Sequence, residues 1–291
     1  MTMNNHWGYN SFDNNWKSEE DLIHKLIDIA SKGGNFLLNV GPTAEGEFPQ
    51  PCIERLQDMG AWLKVNGEAI YGTTAGPFNY LSWGAATRNG DLLYLHVTEW
   101  PENGKLRVPL TSKAVSAELL VKPGETLHMS TESSRIIIDL PSDAPDPVAS
   151  VIVLKLAEEP VAMPLASEGK VITASSENPD FPASYAVDGT GHHIWEAADS
   201  TGESYLEFDF GEPTLIHAVG LDEPDRWPRY KQIIRLEAKT ENGWKELFSA
   251  KTNGHGAVRK FDPIETTGVR LYVERDEGPP GIAEWQVYAP E

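Results

Sequence analysis

The first 72 residues of the chain hold one apolar strand pattern between two amphipathic helix patterns. The first helix is predicted to begin at Ser18, which resembles a capping-box residue, and to end at Gly33. Residues 35–40 (NFLLNV) form a nearly all-apolar run, which is typical of a parallel strand buried on both faces. A second helix is predicted to begin near Pro51, because proline is tolerated in the first helical turn. Ile53, Leu56, Met59, Gly60 and Leu63 are expected to form its buried face.

A helix, a buried strand and a second helix in succession are the repeating pattern of a β/α barrel. A closed barrel needs eight such units and about 250 residues, whereas residues 1–72 have room for about two. An unclosed set of strands leaves a sheet edge without hydrogen-bond partners. We therefore expect residues 1–72 to be the C-terminal part of a larger barrel, or else to pack against another element. Self-association, or association with a missing N-terminal barrel part, follows as an expectation.

The pattern changes to short strands between turn residues after position 72, and the fold class predicted for the whole chain is multidomain α/β plus all-β. The spacing in residues 73–160 predicts a small β-sandwich, followed by a linker at 158–164. Residues 165–291 predict a second all-β domain, a jelly roll. The principal strand candidates are 92–97, 105–108, 135–140 and 151–156 in the first domain, and 205–210, 216–221, 233–240, 269–274 and 285–288 in the second.

The formal net charge of −20 disfavours nucleic acid and anionic membranes as partners, whereas neutral sugars are compatible with it. No run reaches the ~18 apolar residues that a membrane-spanning helix needs. Residues 1–17 are polar and aromatic rather than signal-like, so the compartment stays open. A periplasmic or extracellular location is expected if the full-length protein carries a signal peptide. Cys52 is the single cysteine, which is expected to be buried on a helix.

Three long motifs in this order resemble the C-terminal part of the barrel in family 29 glycoside hydrolases, the α-L-fucosidases. They are MTMNNHWGYNSFDNNWKS at 1–18, KGGNFLLNVGPTAEG at 32–46 and MGAWLKVNGEAIYGT at 59–73. Residues 73–160 resemble the domain that follows the barrel in that family. The last domain resembles a discoidin-like (coagulation factor type C) galactose-binding module through residues 172–189, 205–211 and 269–288. Such modules often bind carbohydrate.

The resemblance implies a retaining glycosidase acting on fucosylated glycans, with one carboxylate as nucleophile and a second as acid and base. In the family, both carboxylates precede the segment that opens this chain, so no catalytic residue is expected within it. A cofactor for catalysis is not implied. The candidates for a catalytic carboxylate that remain in the barrel-like segment are Glu45, Glu47 and Glu68. A surface or structural role is favoured for each, and for Glu68 a hydrogen bond to backbone. The alternative function is a non-catalytic carbohydrate-binding or interaction protein.

Amide and aromatic side chains follow one another in the opening motif. Sugar rings stack their C–H faces on aromatic rings and pair their hydroxyls with amides and imidazoles. By resemblance this loop lines or borders the fucose pocket, whereas the alternative for its aromatic rings is packing against the barrel. The candidate substrate-binding residues are Asn5, His6, Trp7, Tyr9 and Asn39, with Asn4 beside them.

The last domain holds a candidate calcium site. Related modules often bind a structural calcium ion through carboxylates and backbone carbonyls, and hard oxygen ligands suit that ion. Asp188, Thr190 and Glu284 are the candidate ligands, and the alternative is an Asx turn without metal. Candidate glycan contacts, or contacts to the missing barrel, are His192, His193 and Trp195, together with Arg226, Trp227 and Arg229 in the loop 223–231.

Overall fold

The computed structural model describes residues 1–132, 135–198, 202–224, 231–252, 256–275 and 277–290. The chain forms two compact units, Met1–Met163 and Pro164–Pro290. The predicted three-part division, 1–72, 73–160 and 165–291, stays a prediction. Its first two parts lie together in the first unit.

The first helix, α1 (Glu19–Ser31), begins where the sequence predicts it. The Ser18 hydroxyl accepts a hydrogen bond from the backbone N–H of Asp21 at 3.0 Å, which satisfies one of the free donors of the first turn. Three acidic residues in that turn face the positive end of the helix dipole. Gly33 ends the helix with a φ of 74°, a conformation that glycine adopts without steric cost.

The second helix, α2 (Gln50–Asn66), buries a face other than the predicted one. Leu56 is 39% exposed and Gly60 is also exposed, so the expected stripe is wrong at these positions. The rotation of the helix is set by Trp62, whose indole N–H donates to the carbonyl of Ala149 at 3.0 Å. A 3₁₀ turn, Gly67–Ala69, follows directly. The buried residues of α2 are Cys52, Met59, Trp62 and Asn66.

Residues 35–40 do not form the predicted buried strand. They make one isolated parallel bridge, between Asn39 and Thr2. Its hydrogen bonds run from the Asn39 N–H to the Met1 carbonyl at 2.8 Å and from the Met3 N–H to the Asn39 carbonyl at 3.3 Å. Leu37 is 73% exposed. An extended segment becomes a strand only when its neighbours supply a ladder, and in the described residues three residues on one side pair with it.

The remainder of the first unit is a sandwich of two antiparallel sheets. One sheet has the order β1-β2-β3-β8-β5 and the other β4-β7-β6. Leu93, Leu95 and Leu106 lie in the core between the sheets. The strands are β1 (Thr74–Ala75), β2 (Gly84–Asn89), β3 (Leu92–Val97), β4 (Lys105–Val108), β5 (Ala114–Leu119), β6 (Met129–Glu132), β7 (Arg135–Asp139) and β8 (Ser150–Leu156).

The five-stranded sheet is buried on both faces because α1 and α2 cover its outer side. Alternate residues of a strand point to opposite faces. Leu93 and Leu95 therefore enter the sandwich core, while Tyr94 packs with Leu22 and Trp62 of the helices. The helix-containing segment is thus held to the sandwich by a second apolar core.

The second unit is built on a long antiparallel sheet with the order β13-β12-β14-β11-β16, in which β9 also pairs with β11. Trp195, Phe208 and Trp285 lie at the centre of its core. None of the described helices is long and apolar enough to cross a bilayer. The elements are β9 (Val171–Ala174), the 3₁₀ turn Ala183–Val187, β10 (Trp195–Glu196), β11 (Gly202–Asp222), β12 (Gln232–Thr240), β13 (Gly243–Lys251), β14 (Ala257–Arg275), β15 (Gly281–Ile282) and β16 (Glu284–Tyr288).

Candidate functional site

The loop of residues 4–13 is organised around the carboxylate of Asp13, whose side chain is 2% exposed. One carboxylate oxygen accepts hydrogen bonds from the Asn5 N–H at 2.9 Å and from His6 Nδ1 at 2.7 Å. The other accepts from the Asn15 N–H at 3.1 Å. The His6 hydrogen bond holds the pKa of Asp13 below its usual range. Asp13 was not among the sequence-predicted site residues; its position after NNHWGYNSF was the available signal.

The segment at 35–41 fastens this loop from the other side. Asn39 donates from its side-chain amide to the backbone carbonyl of Trp7 at 2.6 Å. Gly41 lies so close that a Cβ there would stand 2.6 Å from the backbone of Gly8. Asn39 therefore supports the loop backbone, and its predicted contact with the sugar stays a prediction. Asn4 is buried and its side-chain oxygen accepts from the His6 N–H at 3.1 Å.

The aromatic rings of the loop lie on the surface of the first unit. Trp7 is 65% exposed, Tyr9 50% and Phe12 92%. With His6, they line a shallow, open hollow formed by residues 6–12. Within the described residues of this unit, Trp7 and Tyr9 keep half or more of their surface exposed, and both the sugar contact and the packing alternative stay predictions. Phe12 is an additional aromatic group that the sequence reasoning did not select.

The three carboxylates considered as catalytic candidates, Glu45, Glu47 and Glu68, lie outside this loop. Glu45 and Glu47 are exposed on a turn closed by the Thr43 N–H donating to the Glu47 carbonyl at 2.8 Å. Glu68 accepts a hydrogen bond from the Tyr94 hydroxyl at 2.8 Å, so its partner is a side chain rather than the expected backbone. Burial, and then this carboxylate, raises the pKa of Tyr94 well above its usual value.

In the second unit, Asp188 and Thr190 form a closed turn. The Asp188 carboxylate accepts from the Thr190 N–H at 2.9 Å and from the Thr190 hydroxyl at 2.7 Å through one oxygen. Its other oxygen accepts from His193 Nδ1 at 2.5 Å. Burial opposes the shift, but these hydrogen bonds outweigh it and lower the pKa of Asp188. The Tyr185 ring stacks on His193 with 4.7 Å between ring centroids, beside a hollow that His192 also lines.

Glu284 reaches the same turn from β16. It is 7% exposed, and its carboxylate accepts from the Gly189 N–H at 3.1 Å. Burial raises the pKa of Glu284, and the negative charges of Asp188 and Asp222 add to the shift. Among the described residues, no three His, Cys, Asp or Glu side chains are grouped as a metal ion would require.

The prediction that Trp195 is a surface contact is wrong. It is fully buried in the core of the second unit, where its indole N–H donates to the Ser176 carbonyl at 3.2 Å. Its position two residues after His193 on a new strand turns the ring inward. Arg226, Trp227 and Arg229 lie outside the described residues.

Two family models match the chain. The α-L-fucosidase model matches residues 1–68, and the F5/8 type C domain model matches residues 171–286. The plasma α-L-fucosidase of Rattus norvegicus is 36% identical over 148 residues, which cover 46% of this chain and 32% of that protein. The chain therefore spans about a third of the length of the curated relatives it matches.

Two solved α-L-fucosidase structures are also similar to this chain. α-L-Fucosidase isoenzyme 1 from Paenibacillus thiaminolyticus is 33% identical with a TM-score of 0.51, over 54% of this chain and 39% of that one. An α-L-fucosidase from a Vibrio species matches the fold over 100% of this chain and 54% of its own, with a TM-score of 0.58 at 21% identity. Residues 1–68 of this chain are therefore similar to the α-L-fucosidase family of glycoside hydrolases, and residues 171–286 to the F5/8 type C domain family.

Proposed function

We propose that the chain is the C-terminal portion of a retaining α-L-fucosidase, which hydrolyses terminal α-L-fucosyl linkages in glycans when its barrel is complete. The observation that carries the proposal is the match of residues 1–68 to the α-L-fucosidase family, on a segment whose aromatic rings Trp7, Tyr9 and Phe12 are exposed. Retention would come from two carboxylates about 5–5.5 Å apart. We place neither of them in Glu45, Glu47 or Glu68, because two of these are exposed on a turn and the third is bonded to Tyr94.

In this proposal the loop 4–13 borders the fucose pocket. Trp7 and Tyr9 offer ring faces for the apolar side of the sugar, while Asn5 and His6 offer polar groups for its hydroxyls. Asn39 acts indirectly, since its amide is already used on the Trp7 carbonyl. The supporting observation is that a buried carboxylate and Asn39 hold the loop from two sides while its rings stay exposed.

We further propose that residues 1–72 are part of a β/α barrel and that their open surface receives the rest of it. The parallel bridge between Thr2 and Asn39 supports this, since parallel pairing is the arrangement of barrel strands. The large apolar side chains exposed in the described residues also concentrate here: eight lie before residue 72, against seven spread over 115–258. Large apolar side chains exposed in such numbers support a surface here that another protein segment covers. The eight are Trp7, Tyr9, Phe12, Leu37, Phe48, Leu56, Val65 and Tyr71.

The activity test is release of nitrophenol from nitrophenyl α-L-fucoside. We expect no turnover by the 291-residue chain alone and turnover after addition of a fragment carrying the preceding barrel strands. Leu37→Asp, on the apolar surface, is expected to abolish this complementation, whereas Val115→Asp, on an exposed sandwich strand, leaves it intact. Turnover by the chain alone would show that our assignment of the catalytic carboxylates outside it is wrong.

A non-catalytic, carbohydrate-binding role is the second candidate, and the F5/8 type C domain favours it. The hollow beside the Tyr185–His193 stack supplies an aromatic wall and imidazole groups, which are the groups that sugars contact. Glycan binding by the chain together with failure of every complementation would leave this function standing. A His193→Ala variant tests whether the hollow is the binding site.

We also propose a structural calcium ion at Asp188, Thr190 and Glu284. Hard oxygen donors suit calcium, and a cation would offset the negative charges of Asp188 and Asp222, which add to the burial that raises the pKa of Glu284. The ion would tie β16 to the turn after the 3₁₀ segment. Calcium is expected to raise the melting temperature of the chain and Glu284→Gln to remove that effect. An equal rise with magnesium, or no rise, would count against the site.

A further inference from the structure

The hydrogen bond between His6 and Asp13 determines which imidazole nitrogen carries the proton. A carboxylate can only accept a hydrogen bond, so the 2.7 Å contact to His6 Nδ1 requires a proton on that nitrogen. In the neutral ring Nε2 then has a lone pair and acts as an acceptor. Asp13 is suited to this task, because its side chain is 2% exposed and two backbone N–H groups hold it in place.

The Asn10 amide does not occupy the acceptor direction of Nε2. Its nitrogen lies 3.3 Å from Nε2 and 3.4 Å from Nδ1, almost equally far from both. The in-plane directions of the two ring nitrogens diverge, so an atom equidistant from both lies over the face of the ring rather than in its plane. The imidazole is therefore capped on one face by Asn10 and held at Nδ1 by Asp13, and no other described residue hydrogen-bonds to Nε2. Its side chain is 52% exposed.

We propose that Asp13 is a positioning residue, which locks His6 as the Nδ1-protonated tautomer so that Nε2 accepts a hydrogen bond from a hydroxyl of an L-fucosyl residue. This inference rests on the proposed function, which brings the sugar to the loop 4–13. A neutral sugar offers hydroxyl donors at fixed angles, and an acceptor with one set direction discriminates among them. The rings of Trp7 and Tyr9 beside His6 supply the apolar contact that completes such a site.

The state of Asp13 agrees with this role. The lowered pKa keeps its carboxylate ionised at neutral pH, so the acceptor for Nδ1 is always present. A carboxylate behind an imidazole fixes tautomer and orientation in many sites where the outer nitrogen makes the functional contact. Here the same carboxylate also binds the backbone of Asn5 and Asn15, so the loop shape and the tautomer depend on one group.

The test is the tautomeric state of His6 by nitrogen-15 NMR of the imidazole in the full 291-residue chain at neutral pH. We expect the wild type to show a protonated Nδ1 and an unprotonated Nε2. In Asp13→Leu, which keeps the bulk but removes the acceptor, the proton is expected to move to Nε2, the form that free histidine favours. Asn10→Ala is the matched control: it uncovers the ring face and should leave the tautomer unchanged.

Titration with L-fucose then tests the contact. We expect the Nε2 resonance of His6 to shift in the wild type and in Asn10→Ala, and this shift to be lost in Asp13→Leu. A wild-type His6 protonated on Nε2 would overturn the inference, even if the Trp7 indole signal responds to fucose and so supports the proposed function. A correct tautomer with fucose-induced shifts at Trp7 but none at His6 Nε2 would overturn the contact alone. No response at either residue would overturn the contact, while the proposed function is decided separately by the complementation assay.

Discussion

Acidification should weaken the packing of the helices on the five-stranded sheet through one buried imidazole, that of His96 in β3. His96 is fully buried. The Thr87 hydroxyl donates to the Ala69 carbonyl at 2.5 Å, so it must accept from His96 Nε2 at 3.0 Å. The proton therefore sits on Nε2, and Nδ1 is buried with no hydrogen-bond partner among the described residues. A second proton would place a charge there with nothing to receive it.

The magnitude follows from the pKa of this group. Burial lowers the pKa of His96 from 6.5 to about 4. Each tenfold change in proton affinity is worth about 1.4 kcal/mol of free energy. Full protonation of this imidazole therefore stabilises the unfolded chain by ~3 kcal/mol relative to the folded chain. The unfolded state binds the proton first as the pH falls. The stabilising contribution is therefore complete above pH 6.5 and is lost between pH 6.5 and pH 4.

Hydrogen–deuterium exchange of peptides from β3 and α2 measures this loss in the first unit separately from the second. After correction for the intrinsic pH dependence of exchange, we expect local opening free energies to fall by ~3 kcal/mol from pH 7 to pH 4. His96→Leu removes the titrating group and leaves the Thr87–Ala69 hydrogen bond possible, so its decrease should be smaller by that amount. His128→Gln, at an exposed position, is the control. An equal decrease in wild type and His96→Leu would refute the reasoning.

Two further predictions concern stability, both read by thermal and chemical denaturation. Gly84→Ala should unfold the sandwich, because the new Cβ would stand 1.9 Å from the His96 carbonyl oxygen. Gly60→Ala, on the open face of α2, should instead raise the free energy of unfolding by ~0.5–1 kcal/mol, because alanine favours the helix over glycine. An equal effect of the two substitutions would show that the close approach at Gly84 is not needed. Trp62→Ala should lower the free energy of unfolding by ~3–5 kcal/mol, because the burial of the ring is lost. Trp62→Phe should lower it far less, because only the hydrogen bond and part of the ring are removed. A similar cost for Phe and Ala would place the importance of Trp62 in its N–H rather than its bulk.

Local features of the chain were predictable because neighbours in sequence supply the interacting groups. The start of α1 depends on Ser18 and the backbone three residues later, and its end on Gly33. The strands of the sandwich also stand where apolar runs lie between turn residues, as at Leu92–Val97. The three motifs that carry the family resemblance are continuous in sequence, so the family matches confirmed the resemblance.

Other features depended on partners far away in sequence. The run at 35–40 has the composition of a buried strand, yet it pairs only with residues 1–3 because no other described segment flanks it. The buried face of α2 follows from the docking of Trp62 on Ala149, which is 87 residues away. Glu68 pairs with Tyr94 for the same reason, since packing of the 3₁₀ turn on β3 brings the two together.

The candidate site likewise has some features that the sequence predicts and others that depend on partners far away in sequence. The sequence by itself determined that amide, imidazole and aromatic groups follow one another in residues 4–9, because their chemistry is a property of the side chains. Only the tertiary structure decided that Asp13 is buried behind His6 and that Asn39 holds the backbone at Trp7. The physical reason is that a hydrogen bond depends on where the chain returns in space, and the loop closure that brings these groups together is set by the packing of the whole unit.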